Sequence, residues 1–353
     1  MATLIIATTK VVVVFGAILI LVLFIIWFER RVVARMQSRV GPNRWGPMGL
    51  LTSLADGVKL FFKEPITPSS ADRPTYLLAP ILSLVPAFLA FAVIPFGDGV
   101  TLFGERINFE LADLNVGLFW VLAMGSLAVY GVVLAGWSSG SKYPLLGAIR
   151  SSAQMISYEI ALSLSLIPVV LFAGTLSMRG IVEAQAGTIG PIEMLGPLSG
   201  IGNLIPAWYI VVHFPAFLIF LIAGVAETNR APFDLPEAET ELVAGYHTEY
   251  SGIKFAMFFL AEYIHIVTVS AVATTMFFGG WNGPSLPFLP FIWPILNFLA
   301  KTFLFVFLFV WLRASWPRLR YDRLMALGWK ALIPAGLIWV FVSAGLATMG
   351  VFA

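Results

Sequence analysis

The sequence predicts an all-α integral membrane protein with eight transmembrane helices and an inner-side amphipathic interfacial helix between helices 1 and 2. Three observations predict it. Of 353 residues, 59% are hydrophobic and only 11% charged, with a mean hydropathy of +0.92, far from the composition of a soluble domain. Eight apolar runs approach or exceed the roughly 18 residues that mark a spanning helix. Lysine and arginine collect on alternate sides of those runs, the asymmetry that sets membrane orientation.

The runs lie near residues 4–28, 75–96, 115–137, 151–173, 205–225, 253–279, 295–312 and 330–350, and the chain from 1 to 353 reads as one transmembrane domain. The first run is too long for a signal peptide and its arginines follow it, so it is expected to be a retained helix. The segments after runs 1, 3, 5 and 7 hold 8, 2, 2 and 5 basic residues, 17 of the 21. Lys10, Arg106, Arg179 and Lys301 are the other four. This places those segments on the inner side and both termini on the outer side.

Between runs 1 and 2, residues 29–75 form the longest inner segment. Gly41, Pro42, Gly46, Pro47 and Gly49 break the chain into a turn. After it, Leu51, Leu54, Val58, Phe61 and Phe62 fall on one face at 100° per residue, with Thr52, Asp56, Lys59 and Lys63 opposite. That pattern belongs to a helix lying in the interface. GPNRWGPMG and GWSSGSKYP both lack the GK[ST] of a phosphate loop, so nucleotide binding is not expected, and no nucleic-acid module is present. With no cysteine, the chain offers no disulfide, thiolate metal site or thiolate-held iron–sulfur cluster.

Charge inside an apolar run is costly, which makes each such acid a functional candidate. Glu159 lies roughly 12 Å along the fourth run at about 1.5 Å per residue, with Ser152 and Ser163 on its face. Glu262 is followed by His265 and Thr268 at spacings of three. Glu227 ends the fifth run and opens an acidic inner loop, 227–250, where Asp234, Glu237, Glu239, Glu241 and Glu249 join it against Arg230. A charge run is ordinarily a solvated face. Here the prolines and aromatics of APFDLP suggest an ordered turn, and crowding and burial both favour the protonated form of a carboxylate. Such a cluster can pass protons or respond to nearby charge. Glu262 and His265 make a single Glu-x-x-His, and His213 and His247 are dispersed, so no metal site is expected. The run FLFVFLFVW reads as lipid-facing bulk.

Four longer motifs carry a resemblance: ERRVVARMQSRVGPNRWGPMGLLTSLADGVKLFFKE, GWSSGSKYPLLGAIRSSAQMISYE, AETNRAPFDLPEAETELVAGYHTEYSG and RASWPRLRYDRL. Together they resemble the family of membrane H subunits (subunit 1) of respiratory complex I, from about residue 29 to 330. The resemblance implies an eight-helix core that joins a quinone-reducing peripheral arm to a proton-pumping membrane arm. It implies that Arg30, Arg35, Asp56 and Lys59 line a quinone chamber and its mouth, and that Phe233 and Asp234 belong to a loop near the quinone head group. It also implies that Glu159, Glu227 and Glu262, with Glu237, Glu239 and Glu241, form a polar path that couples quinone reduction to proton translocation. Ubiquinone or menaquinone would be the substrate, with flavin and iron–sulfur clusters on partner subunits and no metal on this chain. The implied partners are the peripheral quinone-site and iron–sulfur subunits, small and antiporter-like membrane-arm subunits, and the lipid bilayer. A bacterial inner (plasma) membrane is the expected location, with the mitochondrial inner membrane as the alternative.

Rival readings stay open from the residues alone. A same-fold subunit of a membrane-bound hydrogenase, an F420H2 dehydrogenase or a photosynthetic ferredoxin–plastoquinone complex would carry the same features. A secondary transporter would also hold intramembrane acids, although no internal repeat is evident. A passive anchor explains the runs but not Glu159 and Glu262.

Overall fold

The computed structural model describes residues 2–102, 105–188, 206–234, 244–284 and 291–349. Along the chain run α1 (Ala2–Met36), α2 (Thr52–Phe62), α3 (Arg73–Ala90), a small hairpin of β1 (Val100–Leu102) and β2 (Glu105–Ile107), α4 (Gly117–Ser138) and α5 (Lys142–Ala173). Then follow α6 (Met178–Ala184), α7 (Tyr209–Val212), α8 (Phe214–Glu227), α9 (Ile253–Phe277), α10 (Ile292–Ser315), α11 (Tyr321–Leu327) and α12 (Ile333–Thr348). A π-helical turn, Gly328–Leu332, joins the last two. Seven helices among the described residues are long and apolar enough to cross a membrane, and the chain is a helical, multi-pass membrane protein.

The fifth apolar run differs from the rest. It is divided at His213 into the four residues of α7 and the fourteen of α8. Pro215 accounts for the break, because it has no amide to donate and its ring would meet the carbonyl of Val211 in a continuous helix. At about 1.5 Å per residue α8 is about 21 Å long, shorter than a bilayer core. α5, by contrast, starts nine residues before its apolar run, since KYPLLGAIR continues the helix with Pro144 in the first turn, where a missing amide costs little.

Close helix contacts depend on small residues, as expected where packing and not release of water holds helices together. A β-carbon on Gly131 of α4 would lie 2.1 Å from the Ser83 hydroxyl and 2.7 Å from its backbone nitrogen on α3. Only glycine permits that approach. Pro80 leaves the Tyr76 carbonyl of α3 without its helical donor, and the Tyr250 hydroxyl supplies one at 3.2 Å. Tyr76, Tyr158, Phe220, Phe277 and Phe298 are the largest of the fully buried side chains among the described residues.

The turn before α2 is tied to α1. The Met48 carbonyl accepts from Trp27 Nε1 at 3.0 Å and from Arg31 Nη1 at 2.7 Å. Gly49, at φ +74°, abuts the Pro42 backbone so tightly that a β-carbon would sit 2.4 Å away. α2 then turns Ser53, buried, and the half-buried Thr52 and Asp56 toward the protein, and its apolar side outward: Leu51, Leu54, Val58, Phe61 and Phe62 are all exposed, Phe62 at 87%.

Lysine and arginine at the other end of the bundle fasten loops. Lys301 of α10 donates to the carbonyls of Phe278, Gly280 and Asn282 at 2.7, 3.0 and 2.5 Å and lies 4.2 Å over the Trp208 ring, capping the C-terminal end of α9. Arg179 of α6 pairs with Glu110 at 2.8 Å, Glu183 at 2.9 Å and Asp98 at 3.3 Å. Burial lifts the Glu110 carboxyl above its ordinary range despite that arginine.

Candidate functional site: a buried cluster of acids and arginines

The site is built where α8 ends. After Glu227 the chain reverses through Asn229, at φ 51°, a conformation that asparagine tolerates better than most. Gln154 of α5 clamps both sides of the reversal, donating to the Ala226 carbonyl at 2.7 Å and the Phe233 carbonyl at 2.9 Å. Asn229 donates to the Ser151 hydroxyl at 3.0 Å, and Leu319 N–H to the Pro232 carbonyl at 3.1 Å. An ordered turn is present over the described residues 226–234, while Leu235 and Pro236 of the APFDLP stretch lie outside the described residues.

This turn drives Arg230 into the bundle, where it is 4% exposed. Its Nε meets the Glu262 carboxylate of α9, its Nη1 lies 3.8 Å from Glu29 of α1, and its guanidinium sits 4.5 Å over the Tyr263 ring. Glu29, itself 6% exposed, also accepts from Arg313 of α10 and from the Tyr263 hydroxyl at 2.6 Å. Two carboxylates thus face two guanidiniums. Buried charge is tolerated when paired in this way and hydrogen-bonded besides.

A second half of the cluster has no such compensation. Glu227, 6% exposed, meets His265 Nε2 at 3.4 Å, and Glu159 accepts from the Ser126 hydroxyl of α4. Among the described residues no lysine or arginine pairs with either glutamate, and the second carboxylate oxygen of Glu227 is buried without a hydrogen-bond partner. Gly125 of α4 leaves the space beside it, since a β-carbon there would lie 3.5 Å from the Glu227 carboxylate. Glu227, Glu262, His265, Thr228, Asn229 and Thr268 all border one cavity of about 80 Å³, lined elsewhere mostly by apolar side chains such as Leu118 and Phe220. One water needs about 10–15 Å³, so the cavity accommodates several. The paired and unpaired halves of the cluster meet across it.

The remaining sequence-predicted residues fall into three places. Arg30 and Lys59 flank Asp56 at 2.6 and 3.3 Å on the α1–α2 surface. Burial raises the Asp56 carboxyl, but Arg30 and then Lys59 outweigh it and hold the group below its ordinary value. Arg35 is exposed on the last turn of α1, with no ion pair among the described residues. Phe233 packs 6.2 Å from Tyr158, and Asp234, 6% exposed, pairs with Arg318 at 3.2 Å. Beside them burial pushes the His247 imidazole down to about 4, against the opposing charge of Asp234. Glu237, Glu239 and Glu241 lie outside the described residues. Among the described residues no group of three or more histidines and carboxylates is placed to hold a metal ion. His265 turns toward Glu227, 3.4 Å from its carboxylate.

Sequence reasoning missed Glu29, Tyr263, Arg313 and Ser126, and treated Arg230 only as a counter-charge in the loop. Glu29 sits at the end of the first run among arginines, where it reads as surface charge. Its partners Tyr263 and Arg313 are 234 and 284 residues away, beyond any local pattern.

The sequence matches the family model described as NADH dehydrogenase over residues 9–344. It is 58% identical over 339 residues to the H subunit of NADH-quinone oxidoreductase from Frankia alni, covering 95% of this chain and 71% of that one. To the protein of the same name from Frankia casuarinae it is 56% identical over 343 residues, with the same coverage. The chain belongs to the NADH dehydrogenase family that contains these two relatives.

Proposed function

We propose that this chain is the membrane subunit of an NADH:quinone oxidoreductase that forms much of the quinone chamber and couples quinone reduction to proton translocation. The observation that carries the coupling is the division of the buried cluster: Glu29 and Glu262 are matched by arginines, while Glu227 and Glu159 have none, and both halves border or adjoin one water-sized cavity. Charges matched by arginine are fixed. A carboxylate without a cation can change its proton content at lower cost, and a change of charge nearby shifts its affinity for that proton.

Reduction of a quinone to a quinol takes up two electrons and two protons. The electrons come from flavin and iron–sulfur partners of the peripheral arm, and the protons leave charge behind to which Glu227 and Glu159 respond. Asp234 and Phe233, one turn from Arg230, tie the surface where a peripheral subunit docks to the buried cluster, and Glu237, Glu239 and Glu241 continue the path along the same loop. The cavity of about 80 Å³ is a place for water, and the quinone itself occupies a chamber completed by a partner chain, with residues 29–75 as its near wall and Arg30, Arg35, Asp56 and Lys59 at its mouth. The outward apolar face of α2 supports its place in the membrane interface on the inner side. α7 and α8 together count as the eighth span, both termini face outward, and the whole chain is one transmembrane domain in a bacterial inner membrane beside small and antiporter-like subunits. Ubiquinone and menaquinone both suit this reading. The names of the two relatives favour NADH over hydrogen, F420H2 or ferredoxin as the electron source.

Glu227→Gln and Glu159→Gln are expected to leave the complex assembled, with NADH oxidation by an artificial acceptor intact, while quinone reduction and proton pumping both fall. Wild-type rates in both assays would sink the assignment.

A further inference from the structure

The break in the fifth run creates a second polar site, at the opposite end of α8 from Glu227. His213, between α7 and α8, is 0% exposed, and neither ring nitrogen has a hydrogen-bond partner. The Trp339 ring of α12 lies 6.4 Å away, edge to face, with its Nε1 buried and also unpartnered. One turn further along α12, on the same face, Ser343 is 0% exposed with its hydroxyl unpartnered. Phe172 of α5 closes the site, its ring 4.5 Å from the imidazole.

A neutral imidazole carries one N–H donor and one acceptor nitrogen, an indole one donor, and a hydroxyl both. Three buried groups of complementary kind, His213 and, on one face of α12, Trp339 and Ser343, thus lack a hydrogen-bond partner in the described protein. The chain leaves helical geometry at His213 (φ −108°, ψ 37°), yet its amide donates to the Tyr209 carbonyl at 2.7 Å and its carbonyl accepts from the Phe217 amide at 3.0 Å, so it is the side chains that lack partners. Buried waters characteristically take two to four hydrogen bonds from such otherwise unmet groups.

We infer that His213, Trp339 and Ser343 form a binding site for internal water, separate from the acid-lined cavity. Water donates to the acceptor nitrogen of His213 and accepts from Trp339 Nε1, and Ser343 completes the shell. The inference is independent of the proposed coupling role, because it uses none of the acids and no activity.

X-ray hydroxyl-radical footprinting of the purified complex in ¹⁸O-water tests it, since radicals formed from bound water label side chains that bulk solvent does not reach. His213 is expected to take up ¹⁸O, while Phe277 and Phe298, 0% and 2% exposed, do not. Ser343→Ala supplies the second readout. At a hydrated site it removes a hydrogen bond to water and lowers the thermal midpoint of the complex. At a dry site it removes an unmet hydroxyl and raises the midpoint. An unlabelled His213, or a midpoint that rises, overturns the inference.

Discussion

Glu29 and Arg30 are neighbours on α1, and the helix sends them to opposite fates. Glu29 turns inward to Arg230, Arg313 and Tyr263 and is 6% exposed, whereas Arg30 turns outward to Asp56 of α2 with nearly half of its side chain in the open. The chemistry is the same guanidinium–carboxylate pairing. What differs is the medium. An exposed pair is screened and contributes roughly 0.2–1 kcal/mol, while removing one partner of a buried pair costs about 3–5 kcal/mol, because the charge left behind has no solvent. A single residue step along the helix therefore separates a replaceable contact from one on which the interior depends.

The largest expected effect comes from Arg230. Arg230→Met leaves Glu262 buried without its cation and should cost about 3–5 kcal/mol, read as loss of assembled complex in detergent extracts. Because it is the orphaned charge that hurts, Arg230→Met combined with Glu262→Met should recover much of that yield. Failure of the double variant to recover would show that the arginine's other contacts, to Glu29 and the Tyr263 ring, dominate.

His247 sharpens the comparison from the basic side. Its folded value of about 4 against an ordinary 6.5 means that the unfolded chain takes up a proton first as the medium is acidified. Stability is then complete above about pH 6.5 and declines by about 3 kcal/mol as the pH falls toward 4, at about 1.36 kcal/mol per pH unit. Thermal midpoints of the purified complex at pH 7.5 and 5.5 should show that decline, and His247→Asn should flatten it. An unchanged slope would mean that His247 is not the titrating group.

The smallest effect belongs to the surface pair. Asp56→Asn should lower stability by no more than about 1 kcal/mol, and the difference should shrink in high salt. A larger, salt-independent loss would place Asp56 in a buried environment and break the contrast with Glu29.

How much of this the sequence carries depends on whether a feature is local. The amphipathic helix was legible because its period is written into residues 51–63, and the observed helix, Thr52–Phe62, departs from that by one residue at each end. Glu159, Glu227 and Glu262 were legible as charges in oily runs. Their division into matched and unmatched acids was not, since it depends on Arg230 being turned inward by Gln154 and Asn229 and on Arg313 arriving from a distant helix. The break at His213 was present as Pro215, but hydropathy averages over a window and is blind to a missing amide. For Glu237, Glu239 and Glu241 the sequence remains the source of the expectation.

Lys301 bears on how the chain enters the bilayer. An ammonium at the middle of an isolated spanning helix costs about 2.5–3.5 kcal/mol to insert, and α10 carries one within an otherwise apolar length. Here that charge rests on three carbonyls at the end of α9 and on the Trp208 ring. α10 is apolar enough to span by itself, and beside α9 the cost of its one mid-helix charge is offset. A charge that finds its partners only on the neighbouring helix favours insertion of the two as a hairpin over insertion of α10 by itself.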